Sequence, residues 1–456
     1  MSQRDVPAAH GEPDPGTLSA LANAVRGISS PFACGGSVLV RKPPDIRVRG
    51  GHLFSVTPAK NGHDQERLNE RLHACCAPAK FGAGRATRYD RSVREAVQLD
   101  AAGGAFDVTF NPAKAGILDE VRRALAPSDE GSITAELHAL NLYARDGHFV
   151  PHKDTPRGGG MMGSLVVCLP SHFYGGALVA MHHGADVVFD WGREIQADPD
   201  PRRIRWAAFF GDVDHTIERV DWGSRVTLTY VLRRGPGAVA EVQQGDEPAR
   251  LKGELAKALA SKTFLPKGGT LAFPCFHMYS QDARWQKRVS PITARNASTL
   301  KGRDLAIARA ALSLGLDVTL HPYLVESCAD EAWELKRFPT DAELAHFDHR
   351  MSPDIMEEVL PLAANRGASP VWVVPPPEFN RTPHRYRQDA DGISPIQPGL
   401  PALQLVAGCE YSATGYFGNE GGDTDFYVYA ALHVEVPGWT ARNAMTRSAK
   451  AGRSRG

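Results

Sequence analysis

Between residues 132 and 232 the chain divides into eight short apolar or alternating runs, at 132–143, 147–152, 163–170, 176–182, 185–190, 205–210, 215–220 and 225–232. Gly, Pro and Asp separate them. Runs this short, spaced this regularly, read as strands with turns between them, and such a series folds as a sandwich or a barrel. Eight strands fit a double-sheet jelly roll, also called a double-stranded β-helix. The expected fold class is therefore β-rich α+β, with a jelly-roll domain whose core is 132–232, flanking helices, and a second α+β or β-rich domain.

The rest of the 456 residues is organised around that core. Residues 1–16 are rich in Pro, Gly and charge and read as disordered. The first domain is expected over 17–234, with helices at 17–27, 66–74 and 91–100. PFACGGSVLV, from Pro31, reads as a loop leading into a strand. GPGAVAEVQQGDEP marks a linker, taken as 235–249. Beyond it, 250–440 mixes helical patterns (250–260 and 301–314) with the strand-like runs GTLAFP, DVTLHPYLV, PVWVVPP and FYVYAALHVEVP. This second domain is expected to be α+β or a degenerate jelly roll. Residues 441–456 read as a solvated basic tail.

The chemistry concentrates in GHFVPHKDTP, from Gly147 to Pro156. In a strand, residues i and i+2 share a face, so His152 and Asp154 can offer a nitrogen and an oxygen to one ion. GDVDHTIERV supplies His215, 61 positions after Asp154. Two histidines and one carboxylate make the facial triad of non-haem Fe(II) oxygenases, which leaves coordination positions open. Arg225, ten positions past His215 in WGSRVTLTYVL, carries a planar fork suited to a carboxylate. It is the candidate anchor for the distal carboxylate of 2-oxoglutarate. Thr227 shares its strand face and could add a hydroxyl.

Composition tempers this reading. With 17 histidines in the chain, about one His-x-Asp triplet is expected by chance. A second does occur, His346-Phe347-Asp348, followed by His433 and Arg442. Context separates the two. TDAELAHFDHR reads as a helix, where i and i+2 diverge, and Arg442 lies past Pro437 and Gly438, where the strand has ended.

The runs LNLYARDGHFVPHKDTP, GSLVVCLP, FYGGALV and GDVDHTIERVDWGSRVTLTYVL together resemble the 2-oxoglutarate/Fe(II)-dependent dioxygenase superfamily. Within it the likeness is to the prolyl 4-hydroxylase-like branch, and most of all to large fungal and bacterial members of unknown substrate. Weaker likenesses lie at PFACGG, LKGRDLAIARAALSLGL and TGYFGNEGGDTDFYVYAALHVEVP. The resemblance implies His152, Asp154 and His215 as metal ligands and Arg225 as the co-substrate anchor. It also implies Tyr143, nine residues before His152, as a hydrogen-bonding partner of the co-substrate. Implied cofactors are Fe(II), 2-oxoglutarate and O2, with ascorbate a candidate addition. Two positions depart from the pattern. Prolyl 4-hydroxylases often carry lysine where Arg225 stands, and related chains often carry an acid where Ala177 follows Gly175-Gly176.

Each residue also has a plainer reading. The three ligands could be ordinary polar residues at strand ends, and Arg225 a structural ion-pair partner of Asp212 or Glu218. Tyr143 could be core with its hydroxyl at the rim, and Thr227 a strand former. Asp212 and Asp214 could orient His215 or sit in an exposed turn. His182-His183 reads as a solvated hairpin turn, Gly158-Gly159-Gly160 as a flexible loop, and GNEGGDTD as a turn-rich loop.

Lys plus Arg equals Asp plus Glu, 52 each. The chain therefore gives no overall pull toward nucleic acid or anionic membrane. Seven scattered cysteines without a CxxC pair argue against a disulfide framework. With no apolar run of membrane-spanning length and no visible secretory signal, a cytoplasmic setting is expected. The expected activity is hydroxylation of a C–H bond, with a prolyl residue of a protein or peptide as one substrate class and a small metabolite as the alternative. A non-catalytic binding module is the reading from another class.

Overall fold

The computed structural model describes residues 13–56, 67, 70–83, 86–127, 132–158, 160–235, 246–282, 291–294, 296–323, 371–374, 416–418 and 425–444. Eleven strands matter most for the site. In chain order they are β1 (Ala33–Leu39), β2 (Arg94–Glu95), β3 (Val97–Asp100), β4 (Ile133–Tyr143), β5 (His148–His152), β6 (Met161–Cys168), β7 (Leu178–His182), β8 (Ala185–Phe189), β9 (Arg203–Phe210), β10 (Asp214–Ile217) and β11 (Arg225–Arg234). One sheet runs β1-β9-β6-β11-β4-β3, with Ala77–Pro78 at its edge, and the other runs β8-β7-β10-β5-β2. All the pairings are antiparallel. The two sheets share one hydrophobic core.

The alternation of apolar residues explains how strands meet their neighbours. Phe209 points into the sandwich, its ring 4.4 Å from that of His215. The next residue, Phe210, turns to the opposite face and meets His277 of the second domain at 4.6 Å. Strand β9 is thus covered on both sides, which is why its RIRWAAFF reads as an almost unbroken apolar run.

Several expectations need correction. RSVREAVQLD (91–100), expected as a helix, forms β2 and β3, with β3 paired to β4 over Ala139–Leu142. Ladder hydrogen bonds and burial override the helical propensity of Arg, Glu, Ala and Leu. The expected helix at 66–74 is helical at residues 67 and 70–73. Helices at Ile117–Leu125 and Trp191–Ala197, and a small sheet of Asp45–Val48, His52–Ser55 and Phe106–Val108, escaped the sequence reading. The linker expected over 235–249 lies partly outside the described residues, and its end, from Asp246, already belongs to a helix, Asp246–Ala260.

The second domain is built on a sheet ordered Pro291–Ile292, Asp317–Tyr323, Asp425–Val436, Gly269–Pro274 and Val371–Val373. It has its own core. The expected strands at GTLAFP, DVTLHPYLV, PVWVVPP and FYVYAALHVEVP and helices at 250–260 and 301–314 are found there, the latter as Gly302–Ser313. The N-terminal helix Pro15–Arg26, expected with the first domain, places Leu21, Ala22, Ala24 and Val25 in the second core instead. Nor does the basic tail begin at 441. Arg442 is buried and donates to the carbonyls of Leu259, Ser261, Phe264, Leu265 and Pro437. The decoy triplet at His346 lies outside the described residues. Among the described residues, no helix is long and apolar enough to cross a membrane.

Strand β6 shifts register between Met161 and Gly163, and there the backbones come together. A Cβ on Gly163 would stand 2.0 Å from the Phe209 carbonyl oxygen and 2.8 Å from the Phe210 Cα. Gly163→Ala is expected to destabilise the protein by about 1–3 kcal/mol, the usual range for overpacking. Gly253, mid-helix with nothing within 4 Å of its added Cβ, provides the contrast: Gly253→Ala should stabilise by about 0.5–1 kcal/mol. Denaturant titration of the two variants checks both signs.

Candidate metal and co-substrate site

A cavity lies between the two sheets. Asn141, Tyr143, Ser164, Val166, Phe209, Arg225, Thr227 and Thr229 line it from the larger sheet. Arg94, Phe149, His152, Leu178, His215 and Ile217 line it from the smaller one, with Asp154 just past β5 and Gly418 completing the wall. All six candidate residues from the sequence, His152, Asp154, His215, Arg225, Tyr143 and Thr227, therefore face one space.

Strands β5 and β10 place the two histidines directly opposite one another, His152 against His215. Their rings are 4.1 Å apart. Both are held in the same way. The Nδ1 of His152 is 2.8 Å from the Val150 carbonyl oxygen, and the Nδ1 of His215 is 3.1 Å from that of Val213. A carbonyl only accepts, so each Nδ1 carries the proton and each Nε2 presents a lone pair. Phe149 stacks on His152 at 3.5 Å and 19°, which fixes the ring plane. Burial, and then the neighbouring His215, hold His152 well below the usual imidazole range, so it is neutral at neutral pH.

Asp154 brings a carboxylate to the same cavity, its Oδ1 3.9 Å from the His215 Nε2. Its Oδ2 is buried without a hydrogen-bond partner. Burial raises the carboxyl, against the opposing pull of His215. Two imidazole nitrogens and a carboxylate with one unpartnered oxygen make a donor set for a divalent cation, and of the mixed nitrogen–oxygen kind that suits iron.

Arg225 is 1% exposed. Its guanidinium lies 5.4 Å from the Tyr143 ring and 5.2 Å from that of Trp191. Its Nε and Nη2 have no hydrogen-bond partner. The readings that paired it with Asp212 or Glu218 do not match these contacts, and burial lowers its pKa. Gly176, at φ 66°, allows the close approach: a Cβ there would stand 3.2 Å from the Arg225 Cδ. Buried N–H groups of a cation leave room for an anion. Thr227 and Thr229 follow on the same strand face and also line the cavity.

Sequence reasoning missed part of this wall. Arg94 is buried, donates to the Lys80 carbonyl and to the Asn141 Oδ1, and lies 4.7 Å over the Phe149 ring. Assigning its segment to a helix hid it. Asn141 donates on to Thr229. It sits two residues before Tyr143 in LHALNLY, so strand alternation alone could have put it in the cavity. Gly418 comes from far along the chain, where Tyr416–Phe417 pairs with Phe81–Ala83, and no local signal marks it. The rest of the GNEGGDTD loop, from 419 to 424, lies outside the described residues.

A second group of potential ligands, His182, Asp212 and His277, has donor atoms within 4.8 Å of one another. The hairpin turn expected at His182-His183 forms, with Gly184 exposed, but its first histidine is not solvated. His182 is buried, and both rings place Nε2 within 2.9 Å of the Phe276 carbonyl oxygen. Asp212, for which an exposed turn was one reading, is fully buried. Its carboxylate is already engaged by Lys301 at 2.6 Å, by the His277 Nδ1 at 3.1 Å and by the Met278 N–H at 2.9 Å. Burial alone would raise the Asp212 carboxyl, but Lys301 and His277 overcome that and hold it well below the usual range. With an ammonium on one oxygen and two N–H donors on the other, this group is an ion network and not a cation site.

No family model matches the chain, and no curated protein matches it. Among solved structures, the chain is similar to 2-oxoglutarate/Fe(II) oxygenases and prolyl hydroxylases. A prolyl-4-hydroxylase from Pseudomonas putida is 14% identical, over 48% of this chain and 99% of that one, with a TM-score of 0.27. A 2OG-Fe(II) oxygenase family oxidoreductase from Burkholderia pseudomallei is 17% identical, over 51% and 99%, with a TM-score of 0.23. A prolyl hydroxylase from Trichoplax adhaerens, solved with a hypoxia inducible factor oxygen degradation domain peptide fragment, is 13% identical, over 47% and 88%, with a TM-score of 0.26. The similarity is distant.

Proposed function

We propose that this chain is an Fe(II)- and 2-oxoglutarate-dependent dioxygenase that hydroxylates a substrate C–H bond. One observation carries the reading: a cavity between the two sheets sets a buried carboxylate oxygen without a hydrogen-bond partner, beside two imidazoles, against two buried guanidinium nitrogens that also have none. A metal ion and a dicarboxylate co-substrate would answer both needs together. Successive strands β4 to β7 fall alternately in the larger and the smaller sheet, which supports reading the sandwich as a jelly roll.

His152, Asp154 and His215 would hold the ion on one face and leave the other open to ligands. The bound iron, with its co-substrate, would supply the oxidative chemistry. The protein's own part is positional. The Val150 and Val213 carbonyls keep both imidazoles in the ligand tautomer. Arg225 grips the far carboxylate of the co-substrate with charge-assisted hydrogen bonds, while Tyr143 and Trp191 hold the guanidinium between them. Val166, Leu178, Phe209 and Ile217 give the cavity apolar walls that exclude water. Asp154, as a carboxylate ligand, favours hydroxylation over halogenation, since it fills the place a halide would need.

Calorimetry separates the two halves of the site. Wild type is expected to bind Mn(II), used in place of Fe(II), and then 2-oxoglutarate. His152→Ala should lose the metal. Arg225→Ala should keep it but bind 2-oxoglutarate about 10- to 100-fold more weakly, as the loss of a charged hydrogen bond of about 1.5–3 kcal/mol requires. Unchanged 2-oxoglutarate affinity in Arg225→Ala would remove that residue from its role.

The raised Asp154 carboxyl sets a pH dependence. A proton and the cation compete for the same oxygens. Because burial makes Asp154 easier to protonate, metal affinity should fall as the pH drops and begin to do so above the ordinary carboxylate value of 3.8. Mn(II) titrations from neutral to acidic pH test this. Affinity constant down to that value would contradict it.

A further inference from the structure

The loop between β9 and β10, residues 211–213, connects two of the candidate ligands to the second domain. The Gly211 carbonyl accepts from the Asp154 N–H at 3.2 Å. The Val213 carbonyl accepts from the His215 Nδ1. Between them, the Asp212 side chain leaves the first domain altogether. It is gripped by Lys301, His277 and the Met278 N–H of the second domain. The carbonyls on either side of Asp212 therefore hold two of the three candidate ligands, and Asp212 itself is fixed from outside the sandwich.

The grip is itself braced. Lys301 also donates to the Met278 carbonyl. Asp304, at the start of helix Gly302–Ser313, accepts from the Phe276 N–H, the His277 N–H and the Tyr279 hydroxyl, and that hydroxyl accepts from the Lys301 N–H. From the other side, Lys153, between two candidate ligands in sequence, is buried and donates to the Asp212 carbonyl and to Asp214. Asp212, Lys301, His277, Asp304, Tyr279 and Lys153 are all buried, and in a packed interior so many fixed contacts leave the loop little freedom to shift.

We propose that Asp212 is a positioning residue. Clamped by Lys301 and His277, it sets the spacing of Asp154 and His215, so metal affinity depends on the docked second domain. This rests on the dioxygenase reading above, because the ligands it spaces are that reading's metal ligands.

The test measures Mn(II) binding by the loss of the free-ion EPR signal, well below each variant's melting temperature. Lys301→Met leaves a buried carboxylate without its cation and is expected to lower stability sharply. Lys301→Met combined with Asp212→Asn removes both charges together and keeps the fold testable. The double variant should bind Mn(II) about 10- to 100-fold more weakly than wild type, the usual effect of losing a group that orients a ligand. Arg442→Met is the control. It removes the hydrogen bonds from Arg442 to the carbonyls of Leu259, Ser261, Phe264, Leu265 and Pro437 in the second domain, none of which engages Asp212, and should lower the melting temperature without changing Mn(II) affinity. A folded double variant with wild-type affinity overturns the inference alone, and so does a control that weakens the metal equally. Wild type that binds no Mn(II) overturns the dioxygenase reading and the inference with it.

Discussion

A guanidinium buried beside two aromatic rings, with two of its nitrogens unpartnered, is the constraint on which the proposed site depends. Removing an unpaired charge from water costs several kcal/mol. The fold carries a second such feature in the same cavity, the Asp154 carboxylate with a buried, unpartnered Oδ2. The two charges face one space, yet no ion pair is formed between them that would cancel the cost. A hydrophobic interior without a function would replace both by apolar side chains. Their presence together, with two imidazoles held in the same tautomer, is the physical ground for proposing a cation and an anion bound there side by side.

The sandwich supplies the geometry through its register. Because His152 sits opposite His215 and Tyr143 opposite Arg225, one pairing in each sheet positions half of the site. Strand alternation then adds Asn141, Thr227 and Thr229 without further instruction. A slip of one residue in β5 or β11 would turn these side chains to the opposite face. On the proposed reading the metal end rests also on the loop at 211–213, which the second domain holds from outside. The two domains are joined there by buried charge, a strongly directional contact, in addition to apolar packing such as Phe210 on His277.

Much of this was legible in the sequence because the relevant signal was local. The strand series from 132 to 232 announces itself by turn residues and by period-two apolar runs, and His152-Lys153-Asp154 relies on that same period. The failures share a cause as well. In RSVREAVQLD the buried residues Val93, Ala96 and Leu99 are interrupted by two buried polar ones, Arg94 and Gln98, Arg94 facing the cavity, so no period-two apolar run marks a strand. His182, Asp212 and Arg442 look solvent-exposed by residue type, but partners that bury them, Phe276, His277 and Phe264, lie 94, 65 and 178 positions away. Gly418 reaches the site through a pairing more than 300 positions long. Long-range pairing of polar groups leaves no periodicity to read.

The same chain holds two buried histidine–aspartate groups, and the account distinguishes them by what already occupies their lone pairs. Anomalous diffraction from crystals soaked with Mn(II) and 2-oxoglutarate would decide between them. The account predicts one manganese peak bonded to the Nε2 atoms of His152 and His215 and to Asp154, with co-substrate density reaching Arg225. A peak among His182, Asp212 and His277, or none between the two sheets, would contradict it.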